Sequence, residues 1–116
     1  MKPTPILSSL VAVVALWAAA ASVQASSPPV DGAAATALAQ RNACLACHAV
    51  DRRMVGPSYR EIATKYKGMD VAKLAASIRA GGSGKWGPVP MPPQPRLSEA
   101  DSRILAAWVL AGAPAR

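Results

Sequence analysis

Phenylalanine is absent from this 116-residue chain, and aromatic residues make up only 4 % of it. A small domain without Phe has few large apolar bodies to close around, so it needs something extra to hold it together. Histidine occurs once, at His48, and cysteine twice, at Cys44 and Cys47. A single histidine excludes any site built from two imidazoles of one chain. Two cysteines leave no second C-x₂-C half to complete a structural zinc site. Carboxylates are scarce, 6 Asp and Glu against 13 Lys and Arg. No stretch alternates apolar and polar residues as a half-buried strand does, and no segment repeats. These absences leave an all-α class.

What is present begins with an N-terminal targeting pattern. Lys2 supplies a positive start, Leu10 to Ala21 is an unbroken apolar run, and Val23-Gln24-Ala25 offers small residues to a signal peptidase. Residues 1–25 are expected to be a cleaved signal peptide, leaving 26–116 as one domain. A retained anchor would need roughly 20 apolar residues, and Ser8, Ser9, Ser22 and Gln24 interrupt the run. No stable membrane insertion is expected after cleavage. With Lys2 gone, 12 basic residues face 6 acidic ones, a net charge of about +6. Such an excess suits nucleic acid, an anionic membrane or an acidic protein partner; export argues against nucleic acid.

Start and stop signals divide the domain. Ser26 to Val30 reads as a flexible lead-in, and the Ala-rich stretch from Asp31 to about Ala46 as a helix. Ser58, with Glu61 as its capping-box partner, opens a short helix that Gly68 stops. Asp70 caps another through Arg79, with Val71, Leu74, Ala75 and Ile78 on one face and Gly81-Gly82 at its end. Residues 87–95, GPVPMPPQP, hold five prolines and belong to no helix or sheet interior. Ser98, followed by Asp101, opens a last helix whose apolar stripe includes Leu97, Ile104, Leu105, Trp108 and Val109. It stops at Gly112.

Both thiols and the only imidazole lie within Cys44-Leu45-Ala46-Cys47-His48. A thioredoxin-like dithiol uses C-x-x-C in a βαβ setting, and this setting is helical. A disulfide across so small a loop constrains little of the unfolded chain, and it leaves His48 unexplained. C-x-x-C-H is instead the signature of c-type haem attachment. Each thiol adds across one vinyl group, and the following histidine supplies the axial nitrogen. A covalent haem also provides the large apolar body that the core lacks.

The second axial position then falls to Met, Lys, water or nothing. Met54 lies six residues from His48, too close to cross easily to the far face. Met69 sits at a helix boundary, where packing or exposure is its expected role. Met91 lies among Pro88, Pro90, Pro92 and Pro93, which restrict the loop and lower the entropy lost on holding its sulfur. His/Met ligation raises the reduction potential and fills both axial sites, so the chemistry is outer-sphere electron transfer and not catalysis.

The runs NACLACHAVDRRMVGPSY, GSGKWGPVPMPPQ and ILAAWVL closely resemble the small bacterial class I cytochromes c of the c-551 type. The resemblance spans essentially the whole mature chain. It implies the cytochrome c fold, with four to five short helices wrapped around one haem c and crossed terminal helices. It also implies a periplasmic shuttle carrying one electron at a time between membrane complexes and terminal reductases or oxidases, expected as a monomer. Cys44 and Cys47 match the thioether positions, His48 the proximal iron ligand and Met91 the distal one. Pro57 matches the proline whose carbonyl accepts the ring N–H of that histidine, and Trp86 the tryptophan whose indole N–H reaches a haem propionate. Three positions depart from the pattern. Ser77 stands where an arginine often binds a propionate. Arg79 lies about 200° further round a helix, so the propionates are less well neutralised or Lys85 helps. Gln94 replaces an asparagine that commonly donates to the methionine sulfur. Ala39 replaces an aromatic of the first helix, leaving Trp108 to fill more of the crossing.

Partners implied by the resemblance are redox proteins with acidic docking surfaces. A membrane cytochrome complex would serve as donor, and a nitrite reductase, peroxidase or oxidase as acceptor. Two other readings remain at this point. An open-site haem enzyme or gas sensor would need a distal acid–base residue and a vacant sixth position. A haem-bearing subunit of a larger oxidase would need to stay with its complex.

Overall fold

The structure, a computed structural model, describes Met1 and residues 29–116; the expected signal peptide over 1–25 lies outside the described residues, Met1 apart. Four α-helices and one 3₁₀ turn follow in order: α1 (Gly32–Arg41), the turn Cys44–Ala46, α2 (Tyr59–Lys65), α3 (Val71–Ala80) and α4 (Glu99–Leu110). Short polar side chains set the helix starts. Asp31, Ser58, Asp70 and Ser98 each accept a backbone N–H three residues on, which satisfies a donor that the first helical turn leaves free. Ser58 and Glu61 form the full capping box expected of them.

The first helix is shorter than the Ala-rich run predicts. It ends at Arg41, Asn42 caps it through Leu38 O, and Ala43 turns into the left-handed region at φ 57°. That reversal separates α1 from Cys44–Ala46 and aims the cysteines away from the helix axis.

Helix α4 is the central beam, packing on α3 most extensively and also on α1 and α2. Leu105, Ala106, Trp108 and Val109 are buried in that packing with Leu38, Ala39, Leu74 and Ala75. Trp108 fills the crossing as expected: it is 2 % exposed, and its indole donates to Pro114 O at 2.8 Å. A side chain at Gly32 would run into the backbone of Pro114, so the start of α1 packs closely on the C-terminal segment. Ile104 departs from the expected stripe. It is 47 % exposed, because it lies about 100° round the helix from Leu105 and off the buried face.

Candidate functional site

The tight turn after α1 gathers the chemistry of the CLACH segment. Cys47 N–H and His48 N–H both donate to Cys44 O, at 3.2 and 3.0 Å, so one backbone turn brings the three side chains to a common wall. Both thiols are free. Burial pushes the Cys44 thiol above its ordinary value. It therefore stays protonated at neutral pH, unlike the low-pKa thiolate of a redox dithiol.

His48 is fixed by three neighbours. Its Nδ1 lies 2.7 Å from Pro57 O. A carbonyl only accepts, so Nδ1 carries the proton and Nε2 keeps the lone pair that a metal would use. Gly56 gives the ring its space: a Cβ there would sit 2.7 Å from His48 Cε1. Tyr59 stacks on the imidazole with ring centroids 5.4 Å apart and planes at 21°. Tyr59 in turn meets the edge of Trp108 at 5.1 Å, which roots the column in the core. Burial pushes the Tyr59 phenol well above its ordinary value, so the ring stays neutral. No sequence motif marks Tyr59; its place directly after Gly56-Pro57-Ser58 is the available signal.

The loop that follows α3 forms a second wall. Gly81 takes φ 64°, and a side chain there would collide with Met91 O. Gly82 and Met91 exchange both backbone hydrogen bonds, at 2.9 and 2.8 Å, an isolated antiparallel pair. Gln94 N–H donates to Arg79 O at 2.9 Å, tying the far end of the loop to α3. The Gln94 side-chain amide donates to Pro92 O at 3.1 Å, so it braces the proline turn.

Both walls line one cavity of about 330 Å³, and Cys44, Cys47, His48, Pro57, Trp86 and Met91 all face it. The expected site residues are thus brought together from stretches more than forty residues apart in the chain. Leu74, Ile78, Leu105 and Val109 add apolar surface, and no carboxylate lines the space among the described residues. Met54 is 42 % exposed and Met69 packs against the core, so neither competes with Met91 for the cavity. Free thiols, a histidine presenting Nε2, a thioether and an apolar interior form a donor set that suits a covalently attached haem.

Trp86 stands half-buried at the mouth, edge-on to Tyr66 with centroids 5.9 Å apart. Arg53, which sequence reasoning passed over, also lines the cavity. Its guanidinium pairs with Glu61 at 3.0 Å and reaches Trp86 O at 3.5 Å. The Ser58 backbone N–H, followed by Arg53, holds the Glu61 carboxyl below its usual range.

Comparison with known proteins agrees with this geometry. The family model for cytochrome c matches residues 32–113. Cytochrome c-551 of Azotobacter vinelandii is 54 % identical over 69 residues, which cover 58 % of this chain and 83 % of that protein. Cytochrome c-552 of Nitrosomonas europaea is 48 % identical over 75 residues, 63 % of this chain and 73 % of the relative. The crystal structure of wild-type Nitrosomonas europaea cytochrome c552 superposes with a TM-score of 0.64 at 44 % identity, covering 66 % of this chain and 98 % of that one. The class 1 cytochrome MtoD of Sideroxydans lithotrophicus ES-1 gives a TM-score of 0.61 at 30 % identity, over 74 % of this chain and 100 % of that one.

Proposed function

Because the chain belongs to the cytochrome c family, we propose that it is a haem-bearing electron carrier that shuttles single electrons between redox proteins of the periplasm. The observation that carries this reading is the one cavity shared by Cys44, Cys47, His48 and Met91. Cys44 and Cys47 would hold the haem through thioethers, His48 Nε2 and the Met91 sulfur would ligate its iron, and Trp86 would meet a propionate. When bound, the haem supplies a one-electron Fe(III)/Fe(II) couple.

The residues of the chain do the rest. The hydrogen bond from His48 Nδ1 to Pro57 O fixes the ring and its tautomer, and raises the basicity of Nε2. Tyr59 and Gly56 prevent the imidazole from rotating. The Gly82–Met91 backbone pair and the surrounding prolines fix the path of the thioether. A haem held by both His48 and Met91 would have no position left for a substrate, and a site braced in this way would suit outer-sphere transfer.

Export rests on the N-terminal pattern of Lys2, the apolar run and the Ala25 site. Among the described residues, no helix is long and apolar enough to cross a membrane. The mature chain would carry about +6; haem with ionised propionates brings this to about +5, enough to steer association with an acidic partner. Lys65, Lys67, Lys73 and Lys85 are all exposed, and Lys85 also lines the cavity.

A visible spectrum with a redox titration tests the carrier reading. We expect a c-type spectrum, a single one-electron wave and a ferric methionine–sulfur band. A high-spin ferric iron in the wild type would contradict the closed site. The transfer rate to an acidic partner should fall steeply as salt approaches physiological strength, where screening acts over about 8 Å. A rate flat with salt would remove the lysines from docking.

A further inference from the structure

Ser77 lines the cavity from α3 and brings no charge to it. A haem brought into this space carries two carboxylates, and leaving either ionised without a counter-charge is costly where water is partly excluded. Arg53 and Lys85 are the two cations among the cavity's lining residues. They differ in how they are held. Lys85 sits on the loop closed by the Gly84–Gly87 hydrogen bond, with its side chain exposed. Arg53 is exposed as well, but it is braced on two sides: Nη2 is 3.0 Å from Glu61 Oε1, and its guanidinium carbon is 5.9 Å from the Trp86 ring centre.

Lys65 reinforces the same corner from α2. Its Nζ stands 4.2 Å from the Trp86 ring centre and donates to Lys85 O at 2.7 Å. Arg53 and Lys65 therefore stand over one indole, with Lys85 next to it in the chain and the Glu61 carboxylate paired with Arg53. Their sum is +2, equal and opposite to two ionised haem carboxylates. Asp51 and Arg60, on the outer side of Trp86, cancel one another. A guanidinium has five N–H donors; Glu61 and the Trp86 carbonyl engage two, and the rest keep the planar fork that matches a carboxylate.

We propose that Arg53 holds a haem carboxylate at the cavity mouth, while Lys65 and Lys85 supply the remaining counter-charge. The site presupposes the haem of the carrier reading and adds the residue that neutralises it. It also explains why Glu61 serves twice, as reciprocal cap to Ser58 and as brace for Arg53.

The test is the pH dependence of the reduction potential of the purified holoprotein. An ionised carboxylate near the iron favours the ferric state, so the potential falls as pH rises through its pKa. Arg53 keeps that inflection low. Arg53→Gln should move it up by about one pH unit, and Arg53→Lys should restore most of the shift. Ser77→Arg added to Arg53→Gln should also restore it. Arg103→Gln removes the same charge from a residue paired with Glu99 on α4, and should leave the inflection in place. Far-UV circular dichroism checks that each variant folds. A haem-bearing Arg53→Gln protein with the wild-type inflection overturns the proposal alone. If that protein instead loses rate with an acidic partner, Arg53 belongs to docking and the proposal is also overturned. A wild type without a c-type spectrum overturns the carrier reading itself, and this assignment with it.

Discussion

The segment 44–59 and the segment 81–95 line the same cavity, yet they hold His48 and Met91 by different means. In the first, the imidazole itself is gripped: Pro57 O takes its N–H, Gly56 leaves it room, and Tyr59 stacks on it from the core. In the second, the grip is on the backbone. Met91 is placed by its pair with Gly82, by the flanking prolines and by the Gln94 bonds to Arg79 and Pro92. The chemistry of the two side chains explains the contrast. An imidazole has a second nitrogen through which the protein can orient it, whereas a thioether has only its sulfur to offer, so its loop must do the positioning. Damage to the first wall should therefore cost the fold, and damage to the second should cost ligation while leaving the fold intact.

Tyr59→Ala attacks the first wall where it enters the core. Tyr59 is 4 % exposed and bridges His48 to Trp108. Truncating a buried aromatic leaves a cavity, and a loss of about 3–5 kcal/mol is expected in denaturant unfolding. A loss under about 1 kcal/mol would mean that the column does not support the wall.

Trp86→Phe tests the mouth of the second wall with a gentler change. The bulk stays and one donor goes, so the expected cost is about 1–2 kcal/mol, as for a hydrogen bond to a charged group, with the iron spectrum unchanged. Stability unaltered across pH 5–8 would leave Trp86 as packing only.

The smallest effect concerns the link between the walls. Glu61 bonds the Ser58 N–H and pairs with Arg53, and its carboxyl is held below the ordinary 4.5. A depressed folded-state pKa contributes stability that is fully present above the unfolded value and is lost as pH falls through the folded one. Thermal unfolding of the wild type should thus weaken below about pH 4.5, and Glu61→Gln should flatten part of that decline. Parallel curves for the two proteins would remove Glu61 from the acid response.

Much of this contrast was legible before the fold was known, and what escaped is instructive. Ser58, Asp70 and Ser98 announce their helices because a cap acts over three residues, well within a local pattern. C-x-x-C-H is equally local. Met91 was legible because prolines restrict their neighbours. The end of α1 was not: an alanine with positive φ at position 43 carries no side-chain signal, and the turn that aims the cysteines is imposed by packing. Arg53 was also hidden, because its meaning depends on Trp86, thirty-three residues away in the chain. What the Gln94 side chain bonds could also be read only in three dimensions. The Gln94 amide turned out to brace Pro92 O.

The central claim is that His48 and Met91, and no other pair, close the iron from the two walls. The most direct measurement is the ferric visible spectrum of Met91→Ala beside that of Met69→Ala, with far-UV circular dichroism on both. Met91→Ala should lose the methionine–sulfur band, turn high-spin or take up water, and fall in potential while keeping its helical signal. Met69→Ala should change none of these. A Met91→Ala protein that keeps a normal six-coordinate spectrum and potential would contradict the account.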